Sequence, residues 1–287
     1  MTDKVFHTEL AKPMTNQEFV RLSEFIHTQC GIKMPPGKKV MLEARLQKRL
    51  RSVGAATFGD YCEYLFHSPQ AQDELVHMIN AVTTNKTDFF REPGHFHILL
   101  DTVLPPFIDP ASDSGLCFTI WSAGCSSGEE PYTLAMVLAD FAAQHPGFRF
   151  SIVATDISTR VLEKARLGIY DEERVAPVPL SIKQRYLLKS KDRSKGQVRI
   201  APELRALIRF ERVNLMDEQY RRPELLDVIF CRNVIIYFER ANQEKLLGRL
   251  CNSLKPGGYL FLGHSETVHG FDLPLQRVTS TVYRKTA

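Results

Sequence analysis

Five stretches of this chain place polar residues where an apolar run ends, which is where side chains able to do chemistry are held. The first is FTIWSAGCSSGEEPYTLAM (118–136), an apolar run that passes Gly124 and Gly128 and enters Glu129–Glu130–Pro131. Glycines there let the main chain approach a ligand closely, and proline and acids suit the start of a helix; read blandly, the stretch is only a tight turn. The spacing is not GxGxxG, and two adjacent acids would repel a pyrophosphate. A ligand carrying positive charge fits better, so the ammonium and sulfonium of S-adenosylmethionine are favoured over the phosphates of a dinucleotide. The second is IVATDIS (152–158), which puts Asp156 at the tip of an apolar run, placed to accept both hydroxyls of a ribose or, alternatively, to cap the helix expected over STRVLEKA (158–165).

The third stretch, VNLMD (213–217), offers Asn214 to an adenine edge and Leu215 to its face, or is an ordinary strand exit. In the fourth, DVIFCRNVIIYF (227–238), Arg232 and Asn233 emerge abruptly from a wholly apolar strand, at the end where open α/β sheets bind ligands. Tyr237 follows four residues later, as a site residue or a core aromatic. The fifth, NAVTTNKTDFFRE (80–92), sets Asn85, Thr87 and Arg91 around Phe89–Phe90, as a linker or as a lid over the ligand.

The elements that must position these residues are legible in the periodicity. Residues 15–85 read as helices, with Phe19, Leu22 and Phe25–Ile26, then Leu42, Leu46, Leu50 and Val53, then Leu75, Ile79 and Val82 at helical spacing. A further helix is expected over 94–103, stopped by Pro105 and Pro106. Beyond it, strands are expected at 117–121, 148–155, 207–213, 225–231, 258–263 and 280–285, interleaved with helical segments. That alternation predicts an α/β fold: a mostly parallel, doubly wound Rossmann-like sheet behind an all-helical N-terminal domain. Residues 172–206 break the rhythm. YLLKSKDRSKGQVRI (186–200) reads as two strands joined by a charged hairpin, a small antiparallel β insertion.

The composition narrows the class. A chain of 287 residues, 44% hydrophobic and 24% charged, can bury one large domain and a small one. It has no apolar run of 18 residues and no apolar stretch near its start, so neither a membrane span nor a secretory signal is expected. Six scattered cysteines suit a reducing compartment, and none matches a zinc spacing. His95 and His97 face apart on a helix, so no metal site is expected, and His264, at a strand's C-terminal end, is read as a structural hydrogen-bonding residue or as one that approaches the substrate. The formal charge is +4, yet residues 33–51 hold seven basic residues against Glu43, a net +6. On a helical wheel Lys38, Arg45, Lys48 and Arg49 adjoin the apolar stripe, as a solvated face or as a docking face for an acidic partner. No nucleic-acid reader motif accompanies them.

TTNKTDFFRE, SAGCSSGEEPY, ATDIS, VLEKARLGIY, IFCRNVIIYF and LKPGGYLFLGHSE occur in the order in which the CheR-type chemotaxis receptor methyltransferases carry such blocks, and the chain resembles that family from about residue 15 to its end. The resemblance implies an S-adenosylmethionine-dependent protein-glutamate O-methyltransferase, cytoplasmic, with S-adenosylhomocysteine as product. It implies a helical domain over 1–85 and a methyltransferase domain over 86–287. Asn85, Thr87 and Arg91 would contact the donor from the linker side, Glu129 its amino group, Asp156 its ribose, and Asn214 and Leu215 its adenine. Arg232 and Asn233 would lie at its amino-acid portion or in the pocket wall, and Arg91 and Tyr237 nearest the methyl. Lys38, Arg45, Lys48 and Arg49 would dock the cytoplasmic helices of methyl-accepting chemotaxis receptors, and in some members the β insertion tethers a receptor's C-terminal peptide. A monomer is the default expectation. The rival readings are a non-catalytic module that senses the donor or its product, and a nucleic-acid methyltransferase, against which the absence of a DPPY-like motif counts.

Overall fold

The computed structural model describes residues 12–108, 117–220 and 225–286. Its contacts divide the chain into two compact units, Met1–Thr84 and Asn85–Ala287.

Among the described residues the first unit holds four α-helices: α1 (Asn16–Cys30), α2 (Lys39–Val53), α3 (Phe58–His67) and α4 (Ala71–Val82). Their limits follow local chemistry. Thr15 with Glu18, and Thr57 with Asp60, form capping boxes that satisfy the first free N–H groups of α1 and α3. Gly31 and Gly54, both left-handed, close α1 and α2. The apolar stripes turn inward as their spacing predicts: Leu22, Ile26, Leu42, Leu46 and Leu50 are fully buried, with Phe58, Tyr61, Met78 and Val82 among the residues that complete the core.

The basic stripe on α2 is less open than the wheel suggests. The Arg49 guanidinium forks onto Glu74, with Nε 2.9 Å from Oε1 and the second nitrogen on Oε2, and the Tyr61 hydroxyl donates to the same carboxylate at 2.6 Å. Arg45 donates to the carbonyls of Val82 and Thr83 and to the Thr84 hydroxyl, satisfying the C-terminal end of α4. A wheel gives only the direction of the Cα–Cβ bond, whereas these long side chains reach sideways to partners on α4. Lys48 is exposed and Lys38 half-buried.

The second unit begins with α5 (Gly94–Ile98), which continues as a π-helical turn over Leu99–Val103. The remaining elements are β1 (Cys117–Ala123), α6 (Glu129–Gln144), β2 (Arg149–Asp156), α7 (Thr159–Leu167), β3 (Ile169–Asp171), α8 (Leu180–Tyr186), β4 (Leu187–Lys189), β5 (Gln197–Ile200), α9 (Pro202–Ala206), β6 (Ile208–Arg212), β7 (Leu226–Cys231), α10 (Arg240–Ser253), β8 (Leu254–Leu262), β9 (Leu275–Arg277) and β10 (Val282–Lys285). Seven strands form one sheet in the order β6-β2-β1-β7-β8-β10-β9. The first five are parallel, and β10 returns antiparallel against β8 and carries β9. Every strand expected from the sequence is present; β9, only three residues long, gives no readable period.

From β1 the chain steps through β2 to β6 on one side, then through β7 to β8 on the other. Right-handed crossovers therefore put α6 and α7 on one face and α10 on the opposite face, the doubly wound arrangement. α6 and α7 pack on β2 and β6, and α10 packs on β8. β7 is buried at all six positions, as a central parallel strand must be. The insertion is a separate antiparallel sheet, ordered β3-β5-β4, and it starts at Ile169, slightly before the sequence-based boundary.

The Arg49–Glu74 pair gives a test of the first unit. Arg49→Ala leaves a carboxylate that is 3% exposed without its cation. It should cost about 2 kcal/mol, below the roughly 3–5 of a fully buried pair because Arg49 retains some exposure and the Tyr61 hydroxyl remains. Lys48→Ala should change stability by less than about 0.5 kcal/mol. Urea denaturation of the two variants checks both values.

Candidate functional site

Parallel strands expose their C-terminal ends on one edge of the sheet, and the strand order reverses between β1 and β7, so a crevice is expected there. The candidate residues collect at this edge. Residues 124–130 leave β1, Asp156 ends β2, Asn214 and Leu215 follow β6, Arg232 and Asn233 follow β7, and 263–266 follow β8. The crevice is narrow at its floor. Gly124 has φ +80°, and a Cβ on it would lie 2.4 Å from a methyl of Val234, so the loop after β1 needs glycine to pass the loop after β7. Gly128, at φ +98°, is the left-handed cap of α6.

Asp156 is 8% exposed, and each carboxylate oxygen accepts a main-chain N–H, from Ser126 and from Ser158, both at 2.9 Å. Burial pushes its carboxyl above the usual carboxylate range, and these N–H groups pull the other way. α7 starts at Thr159 with Ser158 as its N-cap, so Asp156 is not the cap of that helix. It tethers the loop after β1 to the tip of β2. Each of its oxygens can accept a second hydrogen bond, the arrangement a vicinal diol requires.

Glu129 and Glu130 sit at the start of α6, but they do not form a free pair of negative charges. Arg232 donates from Nε to Glu130 at 2.7 Å, and Ser122 donates to the other oxygen at 2.6 Å. Arg174 reaches Glu129 at 2.7 Å, and the Ser127 hydroxyl reaches its second oxygen at 2.7 Å. The negative first turn that favours a cationic ligand in the sequence is thus largely neutralised, by arginines 45 and 102 residues downstream.

Arg232 is 7% exposed, and its guanidinium is occupied by Glu130, the Arg91 carbonyl at 2.8 Å and His95 Nδ1 at 3.1 Å. Its guanidinium carbon lies 5.6 Å from the ring centroids of Phe96 and Phe230. Asn233 has φ +59°, and its amide extends toward Glu92 at 3.5 Å. The Asn214 side chain accepts from the Met216 N–H at 3.1 Å, and Leu215 is buried. Tyr237 is half-buried in a short helical turn over Ile235–Tyr237.

The segment 85–92 lies against the same edge. The Asn85 carbonyl accepts from the Ser126 hydroxyl at 2.9 Å, and Thr87 is buried with its carbonyl on Arg174 at 2.6 Å. The Phe90 N–H donates to Thr133 on α6 at 3.1 Å. Arg91 is half-buried, and its guanidinium makes a long contact of 3.3 Å with the Lys86 carbonyl.

Arg174, Glu92, His95 and Glu266 are structural partners of the site that the motifs do not disclose. Glu266 accepts the N–H groups of Gly263, Asn233, Val234 and Ile235, at 2.6 to 2.8 Å, and so binds the exits of β7 and β8 together. Its readable signal is a lone acid just past a buried strand, in GHSE. Arg174 lies in an acidic run, DEER, with no readable signal. Glu92, His95 and His264 bring possible metal ligands within 4.8 Å of one another. Arg232 stands 3.1 Å from His95 and 3.6 Å from Glu92, so a guanidinium already fills the place of a cation. Burial and that guanidinium push the His95 imidazole down to about 4, which keeps the ring neutral. His264 donates its main-chain N–H to Glu92 at 3.2 Å, while its side chain stays exposed.

The comparisons with known proteins agree along the chain. The model described as "CheR methyltransferase, SAM binding domain" matches residues 85–284, and "CheR methyltransferase, all-alpha domain" matches residues 17–83. The chain is 38% identical over 274 residues to the chemotaxis protein methyltransferase of Borreliella burgdorferi, covering 95% of both chains. It is 40% identical to that of Escherichia coli, over 94% of this chain and 91% of the relative. To chemotaxis protein methyltransferase 2 of Pseudomonas aeruginosa it is 37% identical, over 94% and 93%. With an all-helical unit ahead of a Rossmann-like sheet whose ligand edge gathers the residues above, the chain belongs to the CheR methyltransferases, the S-adenosylmethionine-dependent methyltransferases of bacterial chemotaxis.

Proposed function

We propose that this enzyme esterifies glutamate side chains in the cytoplasmic helices of methyl-accepting chemotaxis receptors, releasing S-adenosylhomocysteine. The observation that carries the reading is the meeting of Asp156, Glu129, Asn214 and the 85–91 segment on one strand edge of a CheR methyltransferase. Asp156 would take the ribose hydroxyls, Asn214 and Leu215 the adenine, and Glu129 the ammonium. Asn85 and Thr87 would close the site from the segment before α5. Asn233 would line the wall that Arg232 holds. Among the described residues no helix is long and apolar enough to cross a membrane. The enzyme would act as a monomer on the cytoplasmic part of its receptor.

The donor supplies a methyl group on a sulfonium sulfur. A glutamate side chain, with an ordinary pKa of about 4.3, is already ionised at neutral pH and needs no general base. One carboxylate oxygen forms the new bond to the methyl carbon as the carbon–sulfur bond breaks, and the sulfur keeps the electron pair as a thioether. The protein then has to orient the carboxylate and exclude water. Arg91 would hold the oxygen that does not attack, and Tyr237 would flank the methyl path. Lys38, just before α2, and the exposed Lys48 on α2 would carry docking charge, while Arg45 and Arg49 also bind within their own unit. The β insertion is a candidate site for a receptor's C-terminal peptide.

Labelled-methyl transfer to receptor-containing membranes tests the acceptor directly; transfer to base-labile esters on receptor glutamates is expected, and its absence overturns the reading. Arg91→Ala should lower turnover at least ~100-fold while the Kd for S-adenosylhomocysteine rises less than ~5-fold, a loss confined to the transition state. Asp156→Asn should raise that Kd by ~10-fold or more, as removal of a charged hydrogen-bond acceptor does. Lys48→Glu should raise the KM for receptor and flatten its salt dependence, with kcat unchanged.

A further inference from the structure

Arg91 stands between two residues whose backbones are in the left-handed region, Phe90 at φ +54° and Glu92 at φ +56°. A branched or bulky residue does not settle there by itself, and such conformations persist where surrounding contacts over-determine them. The contacts here are specific. The Phe90 N–H is held by Thr133, the Arg91 carbonyl by Arg232 at 2.8 Å, and the Glu92 side chain by the N–H of His264 and the amide of Asn233. Arg232 is itself fixed by several partners: Glu130 takes Nε, His95 Nδ1 faces the same Nη1 that donates to the Arg91 carbonyl, and the guanidinium carbon lies 5.6 Å from the ring centroids of Phe96 and Phe230. The chain of support extends to Ser122 behind Glu130 and to Thr281 behind His95. Glu92 Oε2, buried with no hydrogen bond, lies 3.6 Å from Arg232, so the guanidinium also supplies its charge partner.

We infer that Arg232 is a positioning residue: it acts through the main-chain carbonyl of Arg91, holding that residue's strained backbone so that its side chain enters the site in one orientation. The inference rests on the role proposed above for Arg91. It takes the wall alternative for Arg232 over contact with the donor's amino-acid portion, because Nε and Nη1 are engaged by Glu130, the Arg91 carbonyl and His95 and the side chain is 2% exposed. Only a planar fork reaches Glu130, the Arg91 carbonyl and His95 together. A lysine ammonium keeps the charge but not that geometry.

The test is Arg232→Lys in the full-length enzyme. Turnover with receptor membranes should fall at least ~10-fold while the KM for receptor and the Kd for S-adenosylhomocysteine, by calorimetry, stay within ~3-fold of wild type. Hydrogen exchange over residues 90–92 should rise, with exchange in β1 and β2 unchanged. Glu130→Gln, which loosens the same guanidinium with little change of volume, should give the same split at smaller size and serves if the lysine variant does not fold. A kcat within twofold of wild type, a Kd that weakens in step with the rate, or unchanged exchange over 90–92 in the folded variant overturns the inference. If wild type transfers no methyl to receptors, the acceptor reading fails by itself, and the exchange over 90–92 still decides the role of Arg232.

Discussion

The ion pair of Arg232 with Glu130 is the contact on which the catalytic unit depends. Both side chains are almost wholly withdrawn from water, and a buried charge left without its partner costs several kcal/mol, so neither can move alone. Glu130 belongs to the first turn of α6, and Arg232 to the exit of β7. Their pairing therefore fixes the start of α6 against the strand on the other side of the crevice. The same guanidinium takes the Arg91 carbonyl and faces His95, so the segment before α5 is placed by the same contact.

Around that pair the second unit satisfies its loop backbones with carboxylates. Asp156 binds N–H groups of the loop after β1 and of the entry to α7, and Glu266 binds those of the loops after β7 and β8. These loops cannot use sheet ladders, since they leave the strands at the ligand edge, and a buried unpaired N–H is costly. Among the described residues, Phe90, Glu92, Ser126 and Asn233 are the non-glycine residues with positive φ; Ser126 and Asn233 lie in loops so held, and Phe90 and Glu92 flank the Arg91 carbonyl that Arg232 holds. Strain is concentrated where chain ends must present side chains, and the rigid sheet behind them sustains it.

The first unit uses the same physics differently. Arg49 and Arg45 tie α2 to α4, one through a buried carboxylate and one through free helix carbonyls. What reads as a basic docking face is thus partly an internal strut. The field of the helix toward a distant acidic surface still includes those charges. The direct contacts of a partner would fall to Lys48 and its exposed neighbours.

The sequence alone determined the order of the main helices and strands and the reason for it. Helical period in residues 15–85, apolar runs for the parallel strands, and Pro105–Pro106 as a stop are local properties, and they need no partner to be legible. The same holds for Gly124, Gly128 and the polar residues at strand ends, because topology sends every parallel strand's C-terminus to one edge. The β insertion was legible as a hairpin but its third strand was not, since Ile169–Asp171 is too short to show a period. Only the tertiary structure decided how charges were spent. Glu130 and Arg232, 102 residues apart, and Glu129 and Arg174, 45 apart, are pairs that no spacing rule connects, and they convert an apparently negative turn into a neutral one. Arg45 and Arg49 found partners at α4 for the same reason. A side chain's charge is written in the sequence, but its partner is chosen by packing.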